Sequence, residues 1–446
     1  MKNINNKINV AVIGLGKSGI AAANLASSKG YNVFASDSGK VKTHSAMKLN
    51  KKVTVEFGKH SDKVLESDII VKSPGISSDL PVFKAAQERN IPVMSEFDFA
   101  LNFVKPKRFI AVTGTNGKTT TTTLIYEIIK KAYKNTVVVG NIGYPLSSLA
   151  EKINAKTIVV AELSSYQLED SPDFRPDISV ILNITPDHLK HHKTMKNYIK
   201  AKSNVFINQK NKDFVIYNYQ DKILRKITSN INATAFSFNA NLKKTNTIYY
   251  ENGNIYIRYK NKKITLSPDI KIPGRHNIDN ILSSVAAAFL SGIKPDIIEK
   301  VISSFKGVEH RIEFVKNIKN ISYYNDSKAT NVDSTKVALE AFDKNIQLIL
   351  GGQDKGSPYK PIYNLIKKKV KNIFLIGEAT PVIKKELKGS AQMYECGTLL
   401  NALKKIQTVA EEKDIVLFSP ACASFDQFEN FEHRGQEFKK IVLSLK

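Results

Sequence analysis

Cysteine is scarce: the 446 residues include only Cys396 and Cys422, with no metal-ligand spacing between them. That argues against a disulfide framework and suits a reducing, cytoplasmic setting. No apolar run approaches the ~20 residues that a bilayer span requires, so no membrane partner is expected. The opening Met1-Lys-Asn-Ile-Asn-Asn-Lys-Ile lacks the apolar stretch and small-residue cleavage site of a signal peptide, and leads straight into a strand-like Ile8–Ile13. Internal repeats and low-complexity linkers are missing as well. Acidic residues are outnumbered, 41 against 67 Lys and Arg, which leaves a net charge of +26. Such a charge suits a nucleic-acid binder or an enzyme with polyanionic substrates. The lysines are scattered rather than gathered into an arm, which favours a general richness in Lys, Asn and Ile. No nucleic-acid partner is expected.

What is present is the 42% hydrophobic content of a folded protein, in a length that suits about three domains. Ile8–Ile13, Asn32–Ser36 and Asp68–Val71 read as short buried strands, with Ser18–Lys29 as an Ala-rich helix between the first two. A second alternation starts at Arg108–Thr113 and runs through Thr136–Val139, Thr157–Glu162 and Ile178–Asn183. Residues Phe214–Ile264 read as antiparallel strands attached to this central sheet, followed by a helix over Asn277–Leu290. A third series uses Gln347–Leu350, Asn372–Ile376 and Ile415–Phe418 as strands. The expected architecture is three α/β modules, mostly with parallel sheets, over residues 1–100, 101–306 and 307–446.

The strongest single motif is Gly114-Thr115-Asn116-Gly117-Lys118-Thr119-Thr120-Thr121 after the strand Arg108–Thr113. Its glycines let backbone N–H groups turn toward phosphate oxygens at a helix N-terminus. Lys118 can reach β and γ phosphates, and the Thr119 hydroxyl can ligand Mg²⁺. The usual first glycine of such a loop is replaced by Val112. A second glycine turn, Gly14-Leu15-Gly16-Lys17-Ser18-Gly19, follows the first strand, and Asp37 closes the next. Alone, it would suggest a dinucleotide coenzyme and an oxidoreductase. In front of a separate phosphate loop, it points to two different phosphate ligands in one enzyme. An NAD-dependent oxidoreductase leaves the phosphate loop unexplained; a basic nucleic-acid-dependent ATPase rests on net charge alone.

Further segments, in order, are Ser73-Pro74-Gly75-Ile76, Gly140-Asn141-Ile-Gly143, Glu162-Leu-Ser-Ser-Tyr-Gln-Leu-Glu169, Asn183-Ile-Thr-Pro-Asp187-His188-Leu189 and Ala201-Lys202. Gly274-Arg-His-Asn277-Ile-Asp-Asn280, Glu309-His-Arg311, Asn325-Asp326-Ser-Lys328-Ala-Thr330-Asn331 and Ser419-Pro-Ala-Cys-Ala-Ser424-Phe425-Asp-Gln-Phe428 complete the set. With the phosphate loop, this series resembles the Mur ligases, and within them the branch that adds D-glutamate to UDP-N-acetylmuramoyl-L-alanine. The resemblance implies a Rossmann-like UDP-binding domain, a central P-loop ATPase domain and a C-terminal Rossmann-like domain. It also implies a monomeric cytoplasmic ligase that uses ATP and two Mg²⁺ ions.

The resemblance assigns roles residue by residue. Glu162 is the Mg²⁺ carboxylate. Asn141 and His188 hold the carboxylate substrate, and His188 also completes a second metal site. Lys202 is the lysine that the family carbamylates into a metal ligand. Asn277 and Asn280 contact adenine, while Arg311 and Asp326 reach ATP's phosphates and ribose from a third domain that must close. Gly14–Ser18, Asp37, Ser38 and Ser73–Gly75 hold the uridine diphosphate. Lys328, Thr330, Lys355, Ser424, Phe425 and Phe431 bind D-glutamate, a lysine and hydroxyls for the carboxylates and aromatic walls for the methylenes. His191 and His192 are taken as structural. One departure stands out: Lys190 occupies a position that is usually acidic in the family.

Overall fold

The computed structural model describes residues 8–39, 48–74, 76–77, 79–240 and 245–445. Gly75, assigned above to the diphosphate site, lies outside them, as does the side chain of Lys190. The chain packs as two units, one of residues up to Pro268 together with Asp279–Ile302, the other of Asp269–Ile278 together with Ser303 onwards.

The first unit contains two sheets. In the first, β1 (Asn9–Ile13), β2 (Asn32–Asp37), β3 (Thr54–Phe57), β4 (Ile69–Lys72) and β5 (Val93–Ser95) run parallel in the order β3-β2-β1-β4-β5. The order reverses beside β1, which opens a crevice at its carboxyl end, the usual ligand position of such a sheet. The helix Lys17–Ser28 packs its alanines on this sheet. A Cβ on Gly19 would stand 1.8 Å from the Gly14 carbonyl oxygen, so only glycine permits this approach.

The second sheet comprises β6 (Arg108–Thr113), β7 (Thr136–Gly140), β8 (Ile158–Glu162), β9 (Ile178–Ile181), β10 (Phe214–Asn218), β11 (Thr234–Phe238), β12 (Thr247–Glu251), β13 (Asn254–Tyr259) and β14 (Lys262–Leu266). Their order is β14-β13-β12-β11-β10-β9-β6-β8-β7. The antiparallel expectation for Phe214–Ile264 holds only for its second half. β10 pairs parallel with β9 and β11, and a helix, Lys222–Ile227, makes the crossover. Both strands bury apolar residues on a sheet flanked by helices, so their sequence does not distinguish parallel from antiparallel pairing. True antiparallel pairing begins between β12 and β13, across the Asn252-Gly253 turn where both residues have positive φ. One core spans both sheets. Phe97, on the helix Glu96–Leu101, meets Phe109 and Phe174 edge-on, with centroids 6.1 and 5.2 Å away. Glu96 is buried in this seam, where its carboxylate accepts the Ser147 N–H at 2.7 Å and burial raises its pKa.

The second unit holds the third sheet: β15 (Glu313–Ile318), β16 (Ile321–Asn325), β17 (Ile346–Gly351), β18 (Val370–Ile376), β19 (Gln392–Gly397) and β20 (Ile415–Phe418), ordered β15-β16-β20-β17-β18-β19. Only β15 pairs antiparallel. Among the described residues, no helix is long and apolar enough to cross a membrane.

Candidate active site

Four neighbouring strands of the second sheet, β7, β8, β6 and β9, deliver residues at their carboxyl ends. Gly114 follows β6, Asn141 follows Gly140 at the end of β7, Glu162 ends β8 and Asn183 follows β9. The helix after the phosphate loop starts at Lys118. Its threonines at 119–122 are buried, and packing outweighs their modest helix propensity. The loop is braced from β9: Asn116 N–H donates to Asn183 Oδ1 at 2.8 Å, and Asn183 Nδ2 returns to the Asn116 carbonyl at 3.1 Å. Thr115 Oγ1 lies 3.0 Å from the Tyr198 hydroxyl and accepts the Thr185 N–H at 3.0 Å, which commits that hydroxyl to the loop's own shape. Gly117 caps the helix at φ +86°, and a Cβ there would lie 2.2 Å from Asn280 Oδ1. Asn280 is thereby placed against the phosphate loop.

Lys118 folds its ammonium onto the carbonyls of Gly114 and Thr115, at 3.0 and 2.8 Å. Glu162 is buried, and its Oε1 accepts from Asn141 Nδ2 at 2.7 Å, while Oε2 is buried without a hydrogen-bond partner. A buried carboxylate oxygen left in this way, next to the phosphate loop, is a fitting position for a hard cation. Lys202 is carried inward by the helix Met195–Ser203, which Thr194 caps through the Asn197 N–H. It is 2% exposed, and its Nζ donates to the Gly114 carbonyl at 2.8 Å and lies 4.9 Å from the Tyr198 ring centre. Burial, joined by the charge of Lys118, pulls its pKa well below the ordinary lysine range, against Asp187 and Glu162. His188 has left-handed backbone, φ 53°, with Nε2 3.4 Å from Asp187 Oδ2. Burial lowers its pKa, helped by Lys118 and Lys202 and opposed by Asp187.

At the carboxyl end of β1, a cavity of about 730 Å³ is lined by Leu15, Gly16, Lys17 and Asp37 among others. Asp37 Oδ2 accepts the Leu15 N–H at 2.6 Å and Oδ1 accepts the Gly39 N–H at 2.8 Å, so this carboxylate organises the glycine turn. Gly14, Ser18, Ser38, Ser73 and Pro74 do not line this cavity. Ser73 is buried and donates to the Gly14 carbonyl at 2.7 Å, bracing the turn from behind. Pro74 borders a separate cavity of about 360 Å³. Sequence reasoning missed Tyr144, Asn24, Phe57 and Ser148, which also line the larger cavity. The signal for Tyr144, 62% exposed, was its place directly after the Gly140–Gly143 turn.

In the second unit, Asp326 is buried at the end of β16 and accepts from Ser419 Oγ at 2.7 Å and the Ile312 N–H at 3.2 Å. Burial pushes its carboxyl up to about 7, against those bonds and Arg311. Asn277 Nδ2 donates to the Pro273 carbonyl at 2.6 Å. Lys328 lies over Phe431, Nζ 5.8 Å from the ring centre. Buried Arg434 donates to the carbonyls of Ser327, Cys422 and Ala423, at 2.8, 3.1 and 3.0 Å, tying the segments before Lys328 and Ser424 together. Ala423 also pairs with Gln353, two residues before the exposed Lys355. Phe425 is 67% exposed.

A strand–loop–helix phosphate site, a carboxylate on the neighbouring strand and a buried lysine from another helix bonded to the loop define a P-loop enzyme of the α/β class. Family models match along the chain: "Mur ligase MurD-like, N-terminal domain" over residues 8–95, "Mur ligase middle domain" over 112–288 and "Mur ligase, glutamate ligase domain" over 310–422. The chain belongs to the Mur ligase family, with its three-domain α/β architecture. It is 44% identical over 444 residues to the UDP-N-acetylmuramoylalanine–D-glutamate ligase of Elusimicrobium minutum, covering 97% of both chains. It is 39% identical over 447 residues to the enzyme of the same name from Clostridioides difficile, covering 98% of both. Among solved structures, UDP-N-acetylmuramate-alanine ligase MurC of Thermotoga maritima superposes with a TM-score of 0.61 at 21% identity, covering 98% of this chain and 100% of that one. The MurF ligase of Thermotoga maritima gives 0.60 at 16% identity, covering 99% of each chain. These two likenesses concern the fold.

Proposed function

We propose that the chain is the ATP-dependent ligase that joins D-glutamate to UDP-N-acetylmuramoyl-L-alanine, acting as a cytoplasmic monomer in peptidoglycan precursor synthesis, with domains over 1–100, 101–306 and 307–446. The identity to relatives of that name supports the reaction. The observation that carries the chemistry is a buried Glu162 oxygen without a hydrogen-bond partner beside the phosphate loop, with the buried Lys202 amine held on the carbonyl of that loop's first residue.

A carboxylate is a poor electrophile. One oxygen of the alanyl carboxylate attacks the γ-phosphorus of ATP and ADP leaves. The amine of D-glutamate then attacks the acyl carbon, phosphate departs and the nitrogen loses a proton. The phosphate loop and Lys118 hold the transferring group in line, which supplies positioning and charge neutralisation. Mg²⁺, held by the Thr119 hydroxyl, Glu162, His188 and a carbamate on Lys202, would spread the phosphoryl charge. A second Mg²⁺ is part of this reading. Carbamylation needs a neutral lysine amine: Nζ forms a bond to carbon dioxide, loses a proton, and becomes an anion. Burial beside Lys118 disfavours the ammonium and so favours this step.

Asn141, bonded to Glu162, faces the substrate carboxylate. Asn277 and Asn280 take adenine, and Arg311 and Asp326 take phosphate and ribose. The cavity at Leu15–Lys17 and Asp37 takes the uridine diphosphate, with Tyr144 on its wall. Lys328, Thr330, Lys355, Ser424, Phe425 and Phe431 take D-glutamate.

The test is turnover with labelled oxygen in the alanyl carboxyl group. The label should appear in the released inorganic phosphate, and phosphate release should require the UDP-sugar, with D-glutamate preferred in a panel of amino acids. Phosphate free of label during amide formation would refute the acyl-phosphate route.

A further inference from the structure

Glu169 closes the helix Ser165–Glu169, and His191 and His192 close the short helix Leu189–His192. One ligand atom from each of the three lies within 4.8 Å of the others. His191 Nε2 meets Glu169 Oε2 at 2.6 Å, and His192 Nδ1 faces Glu169 Oε1 at 3.6 Å. The His192 side chain has 0% exposure and its Nδ1 has no hydrogen-bond partner. Leaving a buried polar atom unbonded is costly, and this one faces the Glu169 carboxylate.

We propose that Glu169, His191 and His192 form a binding site for a transition-metal dication of the zinc class, separate from the magnesium chemistry of the phosphate loop. Two imidazole nitrogens and one carboxylate are the donor set of a three-ligand zinc site with a fourth position open to water. Magnesium favours six oxygens and competes poorly for such donors. Bonds of ~2.0–2.1 Å in a tetrahedron place ligand atoms about 3.3 Å apart. The separations of 2.6 and 3.6 Å to the two oxygens of Glu169, with one ligand atom of each residue inside 4.8 Å, bracket that spacing. Ser165 Oγ lies 2.9 Å from His192 Nε2. When that nitrogen carries the proton and donates it to the hydroxyl, Nδ1 presents its lone pair to the metal, the usual outer-partner arrangement for a ligating histidine. Glu169 and His191 also border the 360 Å³ cavity shared with Lys72, Pro74, Ser77 and Tyr166, which offers room for the water. The Tyr166 ring packs on both His188 and His191, centroids 5.1 and 4.4 Å away, so a metal here would stiffen the turn that presents His188.

The experiment is calorimetric titration of chelator-stripped full-length protein with zinc chloride in excess magnesium, paralleled by cobalt(II) absorption. Wild type and His188→Ala should each take up one zinc equivalent and show the intense visible band of four-coordinate cobalt. His191→Gln and Glu169→Gln should bind at least about tenfold more weakly and lose the band, with thermal midpoints near wild type to show that they fold. No uptake by wild type, equal uptake by the Gln variants, or uptake lost only in His188→Ala would each overturn the proposal.

Discussion

Lys202 Nζ stands 2.8 Å from the carbonyl oxygen of Gly114, so a lysine from the helix Met195–Ser203 is fastened to the first residue of the phosphate loop. A buried amine in this position can remain uncharged, and that makes it a nucleophile for carbon dioxide. Lys202→Ala should lose nearly all ligase activity and regain part of it with short carboxylic acids in the buffer. Wild type in bicarbonate-depleted buffer should slow, then recover when bicarbonate is added. Full activity of the variant without added acid would end the carbamate assignment.

Glu162→Gln keeps an oxygen for Asn141 and removes the charge. Loss of one preorganised electrostatic group at a phosphoryl-transfer site should cut kcat by about 10²–10³, with the thermal midpoint near wild type. Magnesium-dependent ATP binding, followed by fluorescence, should weaken in parallel. Wild-type kcat in this variant would show that Glu162 is a structural acid.

Gly117→Ala places a Cβ 2.2 Å from Asn280 Oδ1 at a φ of +86°. The strain should cost about 1–3 kcal/mol and displace Asn280 or the loop. Adding Asn280→Ala relieves the contact but not the dihedral, so stability should return only in part while ATP affinity stays low. Chemical denaturation and nucleotide titration read the two effects separately.

Tyr144, exposed on the wall of the 730 Å³ cavity, is positioned to stack on a base. Removing one base–aromatic stack costs roughly 1–3 kcal/mol. Tyr144→Ala should therefore raise KM for the UDP-sugar by about five- to a hundredfold with little change in kcat, and Tyr144→Phe should restore it. An unchanged KM would place the uracil elsewhere.

His276 provides a pH signature in the second unit. Burial, reinforced by Arg311, lowers its imidazole from 6.5 to about 4. Between those values the unfolded chain holds a proton that the folded chain does not, so stability is full above pH 6.5 and declines as pH falls toward 4. The shift corresponds to roughly 3 kcal/mol at most. His276→Gln should flatten the wild-type decline in thermal midpoint over that window; an identical decline in both proteins would assign it to other groups.

Much of the framework is legible in the sequence. Arg108–Thr113 and Ile415–Phe418 are strands over those same residues, because continuous apolar runs between turn residues suit parallel strands buried on both faces. β3, β5, β15, β16 and β19 have no such signal, being short or mixed in polarity, so their pairing rests on neighbours distant in the chain. β10 and β11 were assigned the wrong direction for a similar reason: alternation reports which face is buried, not which way the partner runs.

The sequence by itself determined the order of the phosphate turns, the strand that ends at each, and the family to which the chain belongs, since these depend on residue identity and short-range backbone geometry. Only the tertiary structure decided that Glu162 keeps one oxygen unpartnered, that Lys202 is stripped of water against the phosphate loop, that Ser73 braces a turn instead of lining its cavity, and that His191 and His192 converge on Glu169. Desolvation and the pairing of distant polar atoms arise when separate helices and strand ends meet, and no local pattern encodes that meeting.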